Sequence, residues 1–213
     1  MTEKIRELLE NSGYVPVVTL KEVAKAPCLV RTLRGLGIDC AVVRENVKAA
    51  AEADSEFLAL AEGELTDSMI EDLGLTVAEV PAELNCDGIA AFCRSGIQEM
   101  LDFRLAHVGI NCPDEAAAIS GANNFDRLFG WKTKIGNSSV FAGSLIECMK
   151  KPFLGQNAHI AVAVRSVPRA VHYLTATGVS FNYDTAKYKD GKLNVIYLSD
   201  EYAGFAVHFI EKK

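Results

Sequence analysis

Four side chains in the second half of the chain have the chemistry of metal ligands: His107, Glu147, His159 and His208. A carboxylate or an imidazole inside an apolar strand is costly to bury without a partner, and SLIECM around Glu147 and FAVHFI around His208 are such strands. One shared cation would give all four side chains that partner. Imidazole nitrogen combined with carboxylate oxygen suits zinc, nickel, cobalt, iron or manganese better than calcium.

Such a site favours substrates with adjacent oxygens. Three neutral imidazoles and one carboxylate leave a divalent ion with a net charge of about +1, which attracts an anionic oxygen pair. The metal would polarise a carbonyl and stabilise an enediolate, with Glu147 or a metal-bound hydroxide as the catalytic base. Lys150, Lys151 and Arg165, near the ends of the metal strands, are candidates to bind a substrate carboxylate or phosphate. Their alternative role is that of solvated strand-end charges.

A duplicated pattern of strands and helices would bring the four ligands together. Residues 104–149 read as one βαβββ unit and residues 159–210 as a second. His107 and His159 lie in the first strand of a unit, and Glu147 and His208 lie in the last. Equivalent positions of a duplicated fold meet near its symmetry axis. Taken singly, each residue has a structural alternative as a satisfied core or surface group. His172, in AVHYL, has no counterpart in the repeat and is interpreted as structural or solvent-facing.

The first half alternates short apolar strands with helices, as in VPVVTL (Val15–Leu20) and IDCAVV (Ile38–Val43). This alternation predicts a parallel sheet covered on its faces. About four such units cannot close a barrel, so a partial barrel or an open parallel sheet is expected. A boundary near Asp102 divides the chain into domains 1–102 and 103–213. The predicted fold class is therefore α/β plus α+β.

Composition and charge limit the kinds of partner that this chain is expected to bind. The net charge is −6, with acidic and basic residues interspersed, and no basic stripe indicates a nucleic-acid partner. The amino terminus has acidic residues where a secretory signal would begin positively, and the apolar runs are only strand-length, so no membrane contact is expected. The six cysteines include no CxxC pair and are interpreted as reduced core thiols of a cytoplasmic protein. A small-molecule substrate is expected.

Residues 103–213 resemble the vicinal oxygen chelate superfamily, which includes glyoxalase I, methylmalonyl-CoA epimerase, extradiol dioxygenases and bleomycin-binding proteins. The segments that carry the resemblance are LAHVGI, NNFDRLFGW, SLIECM, HIAVAV and GFAVHFIEKK. It implies two βαβββ units in a cupped sheet, ligands from the first and last strands, and a homodimer. It also implies a metal-dependent lyase or isomerase. The last ligand departs from the pattern, since relatives usually have glutamate where this chain has His208.

The first half resembles the amino-terminal part of 2-keto-3-deoxy-6-phosphogluconate aldolases, through VPVVTLKEVAKAPCLVRTLRGLGIDCAVV. The family's catalytic glutamate would fall at Val42 or Val43, and no segment resembles its lysine-bearing strand, so this half is predicted not to be catalytic. Two other functions follow as alternatives. One is a non-catalytic protein that binds a small ligand, and the other is a partner in aldolase-type catabolism of sugar acids.

Overall fold

The computed structural model describes residues 3–212, whose contacts form two compact units. Unit 1 runs up to Leu101 and includes Pro168–Val179, and unit 2 comprises Asp102–Val167 and the chain from Ser180 onward. The division into domains 1–102 and 103–213 stays a prediction. No helix among residues 3–212 is long and apolar enough to cross a membrane.

The elements of unit 1 before residue 102 are α1 (Glu3–Ser12), β1 (Tyr14–Thr19), α2 (Ala26–Arg34), β2 (Cys40–Arg44), α3 (Val47–Ala53), β3 (Leu58–Leu60), α4 (Asp67–Leu73), β4 (Thr76–Glu79) and α5 (Cys86–Leu101). The later elements are β5 (Arg104–Asn111), α6 (Glu115–Phe129), β6 (Thr133–Ile135), β7 (Ser139–Ala142), β8 (Ile146–Met149), β9 (His159–Val164), α7 (Val167–Ala176), β10 (Phe181–Lys189), β11 (Lys192–Tyr202) and β12 (Phe205–Glu211).

Unit 1 contains a four-stranded parallel sheet in the order β3-β2-β1-β4. Its central strand β1 is buried from Tyr14 to Val18, as a continuous apolar run predicts for a strand covered on both faces. Of the two arrangements that the sequence left open, the structure has the open sheet. The carboxyl ends of β1 and β4 therefore lie side by side at one edge.

Helix α7 follows β9 in the chain, but its contacts group it with unit 1. The Tyr173 hydroxyl donates a hydrogen bond to the carbonyl of Ser12 at 2.8 Å, and Nε2 of His172 lies 2.7 Å from the carbonyl oxygen of Gly37. His172 thus has a structural partner, which agrees with its assignment outside the metal set.

Unit 2 contains an eight-stranded mixed sheet in the order β10-β11-β12-β9-β5-β8-β7-β6. Counted outward from the centre of the sheet, the strand orders of the two halves, β5-β8-β7-β6 and β9-β12-β11-β10, correspond. In each half, the first strand of the predicted βαβββ unit pairs in parallel with the last strand. Strands β5 and β9 pair antiparallel at the centre and join the halves. The strands predicted to carry metal ligands are therefore the four central ones.

Helix α6 covers one face of the β5–β8 half. Its Ala118 and Ala122 pack against Val140 and Cys148, and all four side chains are buried. Because side chains alternate along a strand, Glu147 points to the face opposite Cys148 and away from α6. The helix thus lies on the face of this half opposite Glu147.

The β10–β11 hairpin is longer than the sequence indicated. The predicted strands covered only 180–183 and 195–198, because the polar residues between them lack an apolar alternation. The structure extends both strands to a two-residue turn at Asp190 and Gly191, whose φ values are 51° and 78°. Two successive positive φ values are typical of a type I′ hairpin turn, which matches the twist of the flanking strands.

The prediction that all six cysteines are reduced core thiols is wrong for one pair, because Cys28 and Cys86 form a disulfide. They are separated by 58 residues in the sequence. Helices α2 and α5 begin near the carboxyl ends of the adjacent strands β1 and β4, and no sequence pattern reports that proximity. Cys40, Cys93, Cys112 and Cys148 are free and buried, as predicted.

Candidate metal centre

One row of paired residues crosses four strands on the face of the sheet opposite α6. Ala161 of β9 pairs with His107 of β5 on one side and with His208 of β12 on the other, and His208 pairs with Tyr197 of β11. Paired residues point to the same face. Because alanine is small, two imidazoles can approach each other across β9.

The neighbouring row holds the other two ligands. Gly109 of β5 pairs with Glu147 of β8, and Glu147 pairs with Phe141 of β7. Continuing the β5–β9 register by one residue places His159 opposite Gly109. A Cβ atom built on Gly109 would overlap the imidazole ring of His159, so this ring lies over the glycine. Glycine inside a strand often marks such a close approach.

The structure brings the four predicted ligands together. Oε2 of Glu147 lies 2.9 Å from Nε2 of His107 and 3.1 Å from Nε2 of His159. The two Nε2 atoms are 3.3 Å apart. One ring nitrogen from each of His107, His159 and His208 lies within 4.8 Å of the others, and all three histidines are buried.

This donor set fits a divalent transition-metal ion. Both ring nitrogens of His208 are buried without a hydrogen-bond partner among residues 3–212. Leaving a buried polar group unsatisfied costs roughly 1–3 kcal/mol. A hydrogen-bonded histidine–carboxylate cluster would satisfy the Nε2 atoms of His107 and His159, but among residues 3–212 it leaves Nδ1 of His159 and both ring nitrogens of His208 without a partner. Tetrahedral bonds of about 2.0–2.1 Å hold ligand atoms roughly 3.3 Å apart, the separation observed between the Nε2 atoms of His107 and His159.

The charges of the cluster suit metal binding. Burial and the adjacent His159 and His107 lower the pKa of His208 to about 3, so its imidazole is neutral near pH 7. Burial would raise the pKa of Glu147, but hydrogen bonds from His107, His159 and Ser139 outweigh burial and hold that pKa below its usual range. A neutral imidazole and an ionised carboxylate are the forms that coordinate metal ions.

Three side chains that the sequence analysis did not single out surround the ligands. The Ser139 hydroxyl donates to Oε1 of Glu147 at 2.6 Å. The ring of Phe141 meets His107 edge-on at 5.4 Å, and that of Tyr197 stacks on His208 at 4.5 Å. The aromatic walls lower the local polarity, which strengthens electrostatic interactions within the cluster. A lone serine or aromatic residue in a strand gives no sequence signal of this role.

Ser139→Ala should weaken metal binding by on the order of tenfold to a hundredfold, because outer-shell hydrogen bonds orient carboxylate ligands. Ser138→Ala is the matched control, since Ser138 is exposed and precedes β7. Competition titration of purified protein against a chromogenic zinc chelator measures both affinities. Equal affinities in the two variants would show that Ser139 does not position Glu147.

Two of the three predicted substrate-binding cations lie away from the cluster. Lys150 follows β8 on the face opposite Glu147 and donates to Glu115 of α6 at 2.6 Å. Arg165 lies beyond the far end of β9, roughly 20 Å along the strand from His159, with its Nε 3.7 Å from Asp102. Lys151 is exposed just past β8. Of the three, Lys151 alone is neither on the opposite face nor at the far end of a ligand strand.

Comparison with known proteins gives partial structural similarities. No protein-family model matches the chain, and no curated protein matches its sequence. A methylmalonyl-CoA epimerase structure is similar at 16% identity, with 51% of this chain and 94% of that chain covered and a TM-score of 0.38. A hypothetical protein from Bacillus halodurans C-125 is similar at 19% identity, with 53% and 96% covered and a TM-score of 0.38. Each similarity thus involves about half of this chain.

Proposed function

We propose that this chain is a metal-dependent lyase or isomerase of the glyoxalase-like class, acting on a small oxygenated acid or a sugar-acid derivative. The observation that carries the proposal is the convergence of the buried His107, His159 and His208 with the half-buried Glu147 on one face of a duplicated sheet. A homodimer is part of the same proposal.

The side chains of the cluster would have three roles: binding the metal, accepting a proton and excluding water. When bound, a divalent ion supplies a Lewis acid for a carbonyl oxygen. The three imidazoles would hold the ion. Glu147 would complete the ligand set and accept the proton from the carbon next to the carbonyl, while Ser139 fixes its second oxygen. Phe141 and Tyr197 would exclude water from the reacting carbon.

Solvent exchange is the direct test of this reaction class. Purified protein, reconstituted with zinc, nickel, cobalt, iron or manganese, is incubated in deuterated water with a panel of small 2-oxo acids and 2-hydroxy ketones. We expect at least one compound to exchange the proton next to its carbonyl for deuterium in a metal-dependent reaction. NMR measures this exchange as a decrease of the proton signal. Glu147→Gln should lower the exchange rate by at least about a hundredfold, as loss of a general base does.

The controls separate catalysis from binding. Glu147→Gln is assayed at saturating metal, so that lost exchange at full metal occupancy identifies Glu147 as the base and lost occupancy identifies it as a ligand. Saturable binding of a panel compound without exchange in the metal-loaded wild type would contradict the enzyme and favour a ligand-binding protein. Formation of pyruvate from 2-keto-3-deoxy acids would instead favour the aldolase connection.

A further inference from the structure

The cysteines at 28 and 86 differ from the other four in exposure. Cys28 is exposed and Cys86 is half-buried, whereas Cys40, Cys93 and the other free thiols are buried. Burial raises the pKa of Cys40 to about 12 and that of Cys93 to about 11, so these thiols stay protonated and unreactive near pH 7. Thiol chemistry in the folded chain is thereby directed to the Cys28–Cys86 pair.

Both cysteines line a cavity of about 410 Å³ in unit 1. Its walls come from the segments that follow β1 and β4, including Leu20, Lys21, Val80 and Pro81. These segments begin at the carboxyl ends of two adjacent parallel strands. The strand order reverses here, because β2 and β3 lie on one side of β1 and β4 lies on the other. Open parallel sheets bind small molecules at such a point. The volume lies within the usual range of small-molecule pockets.

The two sulfur atoms have different surroundings. Cys28 lies in the first turn of α2, directly after Lys25, Ala26 and Pro27, and Cys86 is the first residue of α5, followed by Asp87. The amino-terminal end of a helix stabilises a thiolate at both positions, so the neighbouring charges distinguish them: a lysine three residues before Cys28 favours its thiolate, whereas the aspartate next to Cys86 opposes the other. The other charged groups on the cavity wall are Lys21 and Glu22, and Glu22 pairs with Lys25 at 2.6 Å. Cys28 is therefore the better leaving group.

We propose that Cys28 and Cys86 form a reversible thiol–disulfide site that reacts with a low-molecular-weight thiol bound in this cavity. The incoming thiolate attacks Sγ of Cys86, the Cys28–Cys86 bond breaks, and its electron pair leaves on Sγ of Cys28. A second thiol then attacks its counterpart in the mixed disulfide and releases the Cys86 thiolate. The balance is one protein disulfide and two thiols giving one protein dithiol and one small disulfide. This site is separate from the proposed metal centre, whose four residues all belong to unit 2.

Glutathione is the probe for this proposal. The folded wild type is equilibrated in buffers of varied reduced-to-oxidised glutathione ratio, quenched with iodoacetamide and mapped by peptide mass spectrometry. We expect Cys28 and Cys86 to convert together between labelled and unlabelled forms across these ratios, while the four buried cysteines stay unlabelled. When the oxidised wild type is treated briefly with reduced glutathione and quenched in acid, the trapped mixed disulfide should lie on Cys86 several-fold more often than on Cys28.

Two wild-type results would overturn the proposal. Labelling of both residues at every ratio, oxidised glutathione alone included, would show that the pair does not close. An unlabelled pair in excess reduced glutathione, which becomes labelled only after unfolding, would make the disulfide purely structural. An adduct found mainly on Cys28 would overturn the assigned order of attack. Because these readouts count cysteines, failure of the metal centre would not affect them.

Discussion

His159→Ala is expected to lose the divalent metal that the wild-type protein retains when purified without added metal or chelator. Nε2 of His159 lies 3.1 Å from the Glu147 carboxylate and 3.3 Å from Nε2 of His107, so its loss removes a donor between two others. Even outer-shell changes cost tenfold to a hundredfold in affinity, so loss of a ligand should cost about a hundredfold or more. Elemental analysis and competition titration measure the change.

His172→Ala is the matched control for this experiment. His172 lies in α7 and contacts the Gly37 carbonyl, so its loss should cost about 1 kcal/mol of stability and leave metal content unchanged. Equal, fractional traces of metal in the wild type and in both variants would refute the metal centre. Loss of metal in both variants alike would indicate unfolding, which circular dichroism detects.

Gly109→Ala is expected to weaken metal binding strongly, although it adds only one methyl group. The added methyl group would overlap the His159 ring, so the ring must leave its position beside Glu147 or β5 must move relative to β9. Overpacking of this kind typically costs about 1–3 kcal/mol. We expect metal affinity to fall as far as in His159→Ala, although every ligand is retained. Metal titration and urea unfolding measure the two effects.

Gly121→Ala adds the same methyl group inside α6. There the new atom would meet only the Cys148 sulfur, at an ordinary contact distance of 3.4 Å. Alanine is preferred to glycine inside a helix by about 1 kcal/mol. This variant should therefore bind metal normally and be as stable as the wild type or more so. If Gly109→Ala bound metal equally well, the described position of His159 would not be its metal-binding position.

The convergence of the four candidate ligands could be predicted from the sequence because it depends on a repeat. His107 and His159 occupy equivalent first strands, Glu147 and His208 equivalent last strands, and the observed sheet order places these strands side by side. The alternation of side chains along β8 would also have placed Lys150 opposite Glu147. Proximity along the chain does not report the face of the sheet on which a side chain lies.

The remaining features depend on contacts between distant segments. The register of β5 against β9 decides that Gly109 lies under His159, and no periodicity reports a register. The Cys28–Cys86 pair likewise depends on where two helices start at one sheet edge. Helix α7 likewise contacts unit 1 through residues far apart in the sequence, as in the hydrogen bond from Tyr173 to Ser12.

If the two rows of candidate ligands bind a metal ion as proposed, metal binding would also report on folding. Shifting β9 by one residue against β5 would turn His159 to the other face of the sheet, while the backbone hydrogen bonds could still form. Spectroscopic probes of secondary structure would then record a folded sheet that cannot hold an ion. During refolding, the appearance of visible absorption from bound cobalt would therefore mark the moment at which the central strands reach native alignment.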